Sequence, residues 1–508
     1  MPTTRWHRSG WALLAAAVVM PPAGLVLLWM RPGTRLLRKL LGTAAIAALG
    51  VFYLVRFFGL RAEMDGSGLT PILSFYKKEQ HYAAVERARE ETKPPADPAP
   101  QAAEATDVRP ATAPSLPAKP YWTDFRGPGR LGHYDETEIL TDWPAKGLPL
   151  LWKQPVGGGY ASFVIADGQA FTIEQRRDQE AVAAYDLETG RERWINSWPA
   201  EFRESLGGDG PRATPVWHEG RLYALGAEGE LRCLDAAAGK VLWRKNILQD
   251  NGAANITWGM ANSPLIVDEK VIVLPGGPNG KSVVAYHKLT GEPLWRALDD
   301  RQAYTSPAVV TLAGKRQLLV VSARRAMGLT VEDGRLLWDY PWTTEYDINS
   351  AQPIVLGENR FFISAAYDHG AAVVEITPAG DRFAARAVWQ NKRMKNKFNS
   401  SVLYQGHIYG SDEGILACVN AQTGEQKWKG GRYGYGQLLL ASGHLVVLTE
   451  SGDLVLVKAT PERHQEAARF SAIEGKTWNH PAIAAGRLLV RNTTEMACFR
   501  ISKQQLQP

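Results

Sequence analysis

Residues 181–194 read AVAAYDLETGRERW: an apolar strand, a turn closed by Gly190, and a second short strand ending in Trp194. Glycine at such a turn supplies the positive φ that joins two antiparallel strands. The pattern recurs as LRCLDAAAGKVLW (231–243), VVAYHKLTGEPLW (283–295), MGLTVEDGRLLW (327–338) and LACVNAQTGEQKW (416–428). In all five the glycine, Gly190, Gly239, Gly291, Gly334 or Gly424, stands four positions before the tryptophan. A looser copy, VVEITPAGDRFAARAVW, ends at Trp389 with Gly380 displaced, and LVLVKATPERHQEAARF carries Phe470 in the tryptophan place.

Successive anchors (Trp194, Trp243, Trp295, Trp338, Trp389, Trp428, Phe470) lie 49, 52, 43, 51, 39 and 42 residues apart. That is the period of a four-stranded propeller blade. Upstream, LPLLWKQPV (148–156) is a last strand with Trp152 but no hairpin partner, and the chain ends in EMACFRIS (495–502), an inner strand with no tryptophan strand of its own. Together they complete one blade. The expectation is an all-β, eight-bladed β-propeller closed by pairing its two ends, which removes exposed sheet edges. A seven-bladed count requires one loose copy to be an insertion.

Two apolar runs, 11–30 and about 40–55, precede this domain, the second extendable to Leu60 if Arg56 snorkels. A bilayer crossing needs roughly 20 apolar residues, so 1–61 reads as a transmembrane α-hairpin, with a kink or local unwinding at Pro21 and Pro22. Eight of the 58 Lys and Arg lie in 1–61 with no Asp or Glu, leaving 50 basic against 52 acidic residues in the rest. The pI of about 9.0 therefore belongs to the anchor, and a nucleic-acid partner is not indicated. Arg31, Arg35, Arg38 and Lys39 crowd the loop between the runs. The positive-inside bias holds that loop in the cytoplasm and sends both chain ends to the other side, giving an inner-membrane anchor with a periplasmic propeller. Residues 62–92 read as a spacer with a short solvated helix, 93–119 as a Pro/Ala-rich linker, and 120–508 as the propeller. Cys233, Cys418 and Cys498 occupy equivalent apolar repeat positions, with no C-x-x-C spacing, and read as buried small hydrophobes.

The Ala/Val-x-Asp-x-x-Thr-Gly-x-x-x-Trp repeat resembles the tryptophan-docking repeat of pyrroloquinoline-quinone (PQQ) dependent alcohol dehydrogenases. It also resembles that of the propeller lipoprotein of the outer-membrane β-barrel assembly machinery. The segment WTDFRGPGRLG (122–132) is similar to the stretch preceding the propeller in many PQQ-like repeat proteins. Such a repeat is structural, and function has to be sought in the loops leading into each innermost strand, which ring one mouth of the channel. In this chain those loops hold Thr214, Trp258, Asn262, Asn349, Lys397, Asn399, Tyr435, Trp478 and Asn479 with Arg212, all just before an apolar strand. Glu174 and Arg176, near a strand end, could add an acid and a base to the same mouth. A cation-rich mouth suits a small anionic ligand, a glycan or an envelope protein.

The resemblance implies PQQ with calcium if the chain is a dehydrogenase of alcohols or sugars feeding the membrane quinone pool. Against it, the sequence has no Cys-Cys pair, and in VLPGGPNGKS Asn279 follows Pro278 instead of preceding a proline, so the metal ligand does not carry over. No catalytic residue or metal ligand is assigned. Two classes stay open: a membrane-anchored binding or assembly scaffold of the cell envelope without a complete catalytic site, and a quinoprotein dehydrogenase.

Overall fold

A computed structural model describes residues 10–91 and 121–503. The Pro/Ala-rich linker, 93–119, lies outside the described residues. Two compact units are distinguished: 10–63 with 71–81, and 64–70 with the described residues from Tyr82 onward.

In the first unit the leading apolar run does not form one helix. It splits into α1, Gly10–Val19, and α2, Pro21–Trp29, broken at Met20 (φ −147°) ahead of the two prolines. Proline lacks an N–H and clashes with the preceding turn, so the prolines start a new helix more readily than they continue one. The two pieces fold against each other: a Cβ on Gly24 would lie 2.5 Å from the Ala17 Cα. A third helix, α3, Leu36–Tyr53, runs into a π-turn at Leu54–Phe58 and packs on α2, Gly42 against Leu28, with Trp29 Nε1 donating to Thr43 Oγ1 at 3.0 Å. Among the described residues one helical stretch, Leu36–Phe58, is long and apolar enough to cross a membrane. At 1.5 Å per residue, α1 and α2 are each about 15 Å long, half a hydrocarbon core.

The second unit is an eight-bladed propeller. Its first blade is Val164–Ala166, Gln169–Arg176, Gln179–Asp186 and Glu192–Pro199, each strand paired with the next. The two middle strands are buried on both faces, whereas the outermost alternates between exposed and half-buried as far as the buried Trp198, which is why AVAAY is a continuous apolar run and ERWINSW is not. Blades at 216–246, 265–297, 308–341, 354–391, 402–432 and 437–471 repeat this order. The eighth is composite: Leu150–Pro155 pairs with Glu495–Arg500, placing Trp152 opposite Cys498. The three cysteines are free and buried.

The Gly-to-Trp spacing has a direct cause. Five of the tryptophans lie over the turn glycine of the following blade, so a Cβ would meet the ring at 2.7 Å for Gly190 under Trp152, 2.4 Å for Gly239 under Trp194 and 2.8 Å for Gly291 under Trp243. Trp194 and Trp243 also donate their indole N–H to the next blade at Ala236 O (3.0 Å) and Lys288 O (2.9 Å). The ring of docking contacts closes through Phe470, which lies 2.4 Å from a Cβ built on Gly147, ahead of the composite blade's strand. At Trp338 the pattern breaks: with Gly380 displaced, its N–H turns to Gln317 of its own blade (2.6 Å).

Helix α4, Lys78–Glu91, buries Tyr82, Val85 and Arg89, so it is not the solvated helix its charges suggest. Arg89 is the reason. It donates to Gln154 Oε1 and Pro155 O of the composite blade, both at 2.8 Å, and to Tyr185 of the first blade at 3.3 Å.

Candidate functional site

The mouth of the propeller holds a cavity of about 610 Å³. Its floor is the segment 122–132, which crosses the axis: Ile165 and Trp217 donate to Trp122 and Thr123 carbonyls, and the buried Arg126 and Arg130 donate to Ser401, Pro307 and Pro264 carbonyls at inner-strand starts. Phe125 from this segment faces the cavity.

The walls are aromatic. Tyr160, Trp258, Tyr304, Tyr346, Tyr367, Phe398 and Trp478 line them. Tyr160 stacks on Trp478 at 5.2 Å, Phe398 lies 4.5 Å from Trp478, and Trp258 meets Tyr304 edge-on at 5.7 Å. Tyr346 and Tyr367 hold φ of 64° and 56°, a left-handed backbone that costs a non-glycine residue on the order of 1 kcal/mol and clusters at functional sites. Burial pushes the phenols of Tyr304 and Tyr367 up to about 12, so both stay neutral hydrogen-bond donors.

Two cations enter this wall. Arg212 lies over the Tyr160 and Phe202 rings, 5.5 and 4.8 Å away, and donates to the Gly210 and Gly208 carbonyls at 2.6 and 2.7 Å. Lys397 sits 5.0 Å from the Tyr367 ring and donates to Gly66 O at 2.6 Å. Burial lowers the pKa of both. His480, at the cavity's edge, is held neutral by burial and by the nearby Arg126.

Of the residues singled out by sequence, Arg212, Thr214, Trp258, Lys397 and Trp478 line this one cavity, and Glu174, Arg176, Asn262, Asn349, Asn399, Tyr435 and Asn479 do not. The amides face sideways because they tie blades together. Asn262 Nδ2 donates to Ala303 and Thr305 carbonyls (2.9 Å each), Asn349 to Ser322 O (2.9 Å), and Asn479 to Ala161 O (2.9 Å). Hydroxyls one or two positions on do the same, with Thr214 Oγ1, Ser263 Oγ and Ser306 Oγ each accepting the preceding blade's backbone N–H. Asn399 caps its own loop by accepting the Lys397 N–H at 3.1 Å. Tyr435 packs behind the wall against Phe398.

Glu174 and Arg176 form a separate buried network. Glu174, fully buried, accepts from Gly157 N (2.8 Å), Arg176 Nε (2.6 Å) and Tyr185 Oη (2.9 Å). Burial alone would raise its pKa, but Arg176, Arg89, Arg491 and the Gly157 N–H outweigh it and hold the carboxyl at about 2. This is a permanently charged structural hub between the first and composite blades, not an acid or base facing the cavity.

Sequence reasoning missed Tyr346, which stands early in the loop leading into the fifth blade's inner strand, and Tyr367, which reaches the mouth from the turn between that blade's second and third strands. It also missed Glu450 and the residues of 64–68. An aromatic in a turn bounded by polar residues was the signal available for the tyrosines; the others carried none.

The donor set does not fit PQQ with calcium. Among the described residues the one acidic side chain lining the cavity is Asp65, whose Oδ1 caps its own turn, and no three His, Cys, Asp or Glu gather as a metal site. Arg212 and Lys397 are committed to backbone carbonyls.

An eight-bladed, tryptophan-docked propeller with a floored, aromatic mouth is therefore the class of protein in hand. A family model described as outer membrane protein assembly factor BamB matches residues 177–430, half of the chain, and the chain belongs to this PQQ-like propeller family. The outer membrane protein assembly factor BamB of Burkholderia pseudomallei is 21% identical over 365 residues, covering 62% of this chain and 89% of that protein. BamB from Moraxella catarrhalis superposes with a TM-score of 0.51 at 16% identity, over 69% of this chain and 99% of that one. Quinohemoprotein alcohol dehydrogenase from Comamonas testosteroni gives 0.54 at 14% identity, over 85% of each chain. At these identities the structural matches speak to the fold alone.

Proposed function

We propose that this chain is a membrane-anchored scaffold of the cell envelope, held in the inner membrane by its N-terminal apolar helices. Its propeller stands on the periplasmic side and its mouth holds a polypeptide partner. The observation that carries this reading is the mouth itself: seven aromatic side chains from separate loops around one cavity, with its cations already turned to backbone carbonyls. Tyrosine and tryptophan give large contact area at low entropic cost and dominate the energetics of protein interfaces. The assembly-factor relatives support an envelope setting, and the basic residues before and in the first turn of α3 support the orientation.

The alternative, a PQQ-dependent dehydrogenase, would use the same mouth, with Arg212 and Lys397 turned from their carbonyls toward the cofactor's carboxylates. A photo-cross-linking residue at Leu206, which is exposed and lines the cavity, should trap a discrete envelope protein in living cells. The adduct should vanish with Trp258→Ala, and a cross-linker at the exposed Leu242 on the blade rim should give none. Adducts of equal strength at both positions would remove the mouth as the binding site. Saturable binding of PQQ with calcium by the purified protein, lost in Arg212→Ala, would replace the scaffold with the quinoprotein.

A further inference from the structure

Residues Met64–Thr70 belong to the propeller unit, and they sit in the mouth as a ligand would. The sequence Asp65-Gly66-Ser67-Gly68 forms a closed turn. Gly68 N–H donates to Asp65 O at 3.0 Å, and Asp65 Oδ1 accepts the N–H groups of Ser67, Gly68 and Thr70 at 3.1, 3.1 and 3.2 Å. These bonds make the turn rigid with no help from the blades.

What the blades add is recognition of main chain. Gly66 N–H donates to Glu450 Oε1 at 2.5 Å, while Lys397 Nζ donates to Gly66 O at 2.6 Å. Glu450 is aimed by two further donors, Trp478 Nε1 at 2.8 Å and Tyr435 N–H at 3.1 Å. Both polar atoms of one residue are thus read by an oppositely charged pair supplied by the sixth and seventh blades. Charge-assisted hydrogen bonds of this kind are about twice as strong as neutral ones. The position also selects its residue. Gly66 is buried, and a Cβ there would lie 2.3 Å from Tyr435 Cγ, so glycine alone fits.

A turn of this composition is satisfied in water and has no need of a charged clamp. The clamp's geometry is explained by a peptide that has to be recognised. We infer that the mouth carries a subsite for a polypeptide turn with glycine at its centre, read by Glu450 and Lys397, and that the chain's own segment 64–70 fills it in cis. This rests on the reading of the mouth as a polypeptide site and names its ligand class. The partner is a protein presenting an Asp-Gly-type turn, which has to displace the cis segment. The cavity beside that segment, walled by Trp258, Tyr304, Tyr346 and Tyr367, takes the partner's flanking residues. A tethered occupant competes at an effective concentration in the millimolar range, so trans affinity is masked until the segment leaves.

The test uses the full-length protein in detergent, with Ser67→Cys as a reporter and a fluorescein-labelled peptide of sequence MDGSGLT as the trans probe. The introduced thiol should react slowly with a maleimide. Its rate should rise at least tenfold in Gly66→Val and in the near-isosteric pair Lys397→Met with Glu450→Gln, both with unchanged melting curves. The probe should bind saturably to Gly66→Val, at least tenfold more tightly than to the unmodified chain, and lose that binding when Lys397→Met and Glu450→Gln are added. A labelling rate that neither variant changes overturns the inference, since the clamp pair remains a valid probe if Gly66→Val misfolds. Should the Leu206 adduct persist while the reporter thiol is unprotected, the cis segment alone is refuted. Protection and trans binding without that adduct would refute the scaffold reading and leave this one standing.

Discussion

Trp194 covers Gly239 of the following blade so closely that a Cβ there would sit 2.4 Å from the indole, and Gly239 also holds φ of 68°. Gly220 offers a control: its φ is 73°, yet nothing lies within 4 Å of an added Cβ. Gly220→Ala should therefore cost only the left-handed backbone penalty, about 1 kcal/mol, whereas Gly239→Ala should cost on the order of 3 kcal/mol because the indole has to move from between two blades. Denaturant unfolding of the two variants measures the difference. Equal losses would mean that the repeat's glycine serves the turn and not the docking.

Glu180 gives the propeller a pH dependence. Burial, reinforced by the charges of Glu228 and Glu230, raises its carboxyl to about 7 against the opposing Ala227 N–H and Trp198. The folded state thus binds a proton more tightly than the unfolded chain, whose value is 4.5. Stability gains from this group as pH falls from above 7 toward 4.5 and is level outside that window. The unfolding free energy of the parent relative to Glu180→Gln should rise by on the order of 2 kcal/mol between about pH 8 and pH 4. A pH-independent difference would show that Glu180 does not titrate in a buried site.

Arg89 ties helix α4 to the closure. Removing it takes a donor from Gln154, Pro155 O and Tyr185 and an ion-pair partner from Glu192, and breaking a buried charge network by deleting one partner costs about 3 kcal/mol or more. Arg177, more than a third exposed and paired with Glu86, should lose less than about 1 kcal/mol on the same change. Thermal melts of Arg89→Ala and Arg177→Ala decide it. Similar melts would place the helix's contribution in Tyr82 and Val85 instead.

The blades were legible because one local spacing, Gly four before Trp, encodes a contact to the next repeat. Their closure was legible because both halves of the composite blade are recognisable fragments. Gly147 beneath Phe470 was not, since it precedes its strand instead of sitting in a hairpin. At the mouth, sequence register brought Arg212, Thr214, Trp258, Lys397 and Trp478 to one cavity. The same register misled for Asn262, Asn349 and Asn479, because it says that a side chain lies near the axis but not whether it turns inward or toward the next blade. The Glu450 to Gly66 contact spans 384 residues, and no local pattern announces a contact between a blade turn and a segment read as spacer.

The broken first helix alters the membrane topology to be tested. With α1 and α2 folded together and, among the described residues, only Leu36–Phe58 long enough to cross, the start of α1 and the basic loop should share the cytoplasmic side, and the propeller should be outside. A membrane-impermeant maleimide on spheroplasts should label Gln422→Cys, exposed on a blade turn, but neither Gly10→Cys nor Pro32→Cys; the native cysteines are buried. Labelling at Gly10→Cys would restore a two-crossing hairpin with both its ends outside.

Tyr346 is 70% exposed, holds φ of 64° and still lines the cavity against Tyr367, 5.8 Å away. An exposed aromatic in a strained backbone contributes little to folding, and such strain persists where binding uses it. Tyr346→Gly removes both ring and strain, while Tyr346→Ala removes the ring alone. The glycine variant should be more stable than the alanine variant by about 1 kcal/mol and no less stable than the parent. Both should weaken capture of the partner at Leu206 alike, by about tenfold, as loss of an aromatic contact worth on the order of 1 kcal/mol or more requires. If capture is untouched in both, the tyrosine's conformation belongs to the loop and the binding surface lies deeper, on Trp258 and Trp478. If only the glycine variant binds poorly, backbone strain and not the ring is what the partner senses.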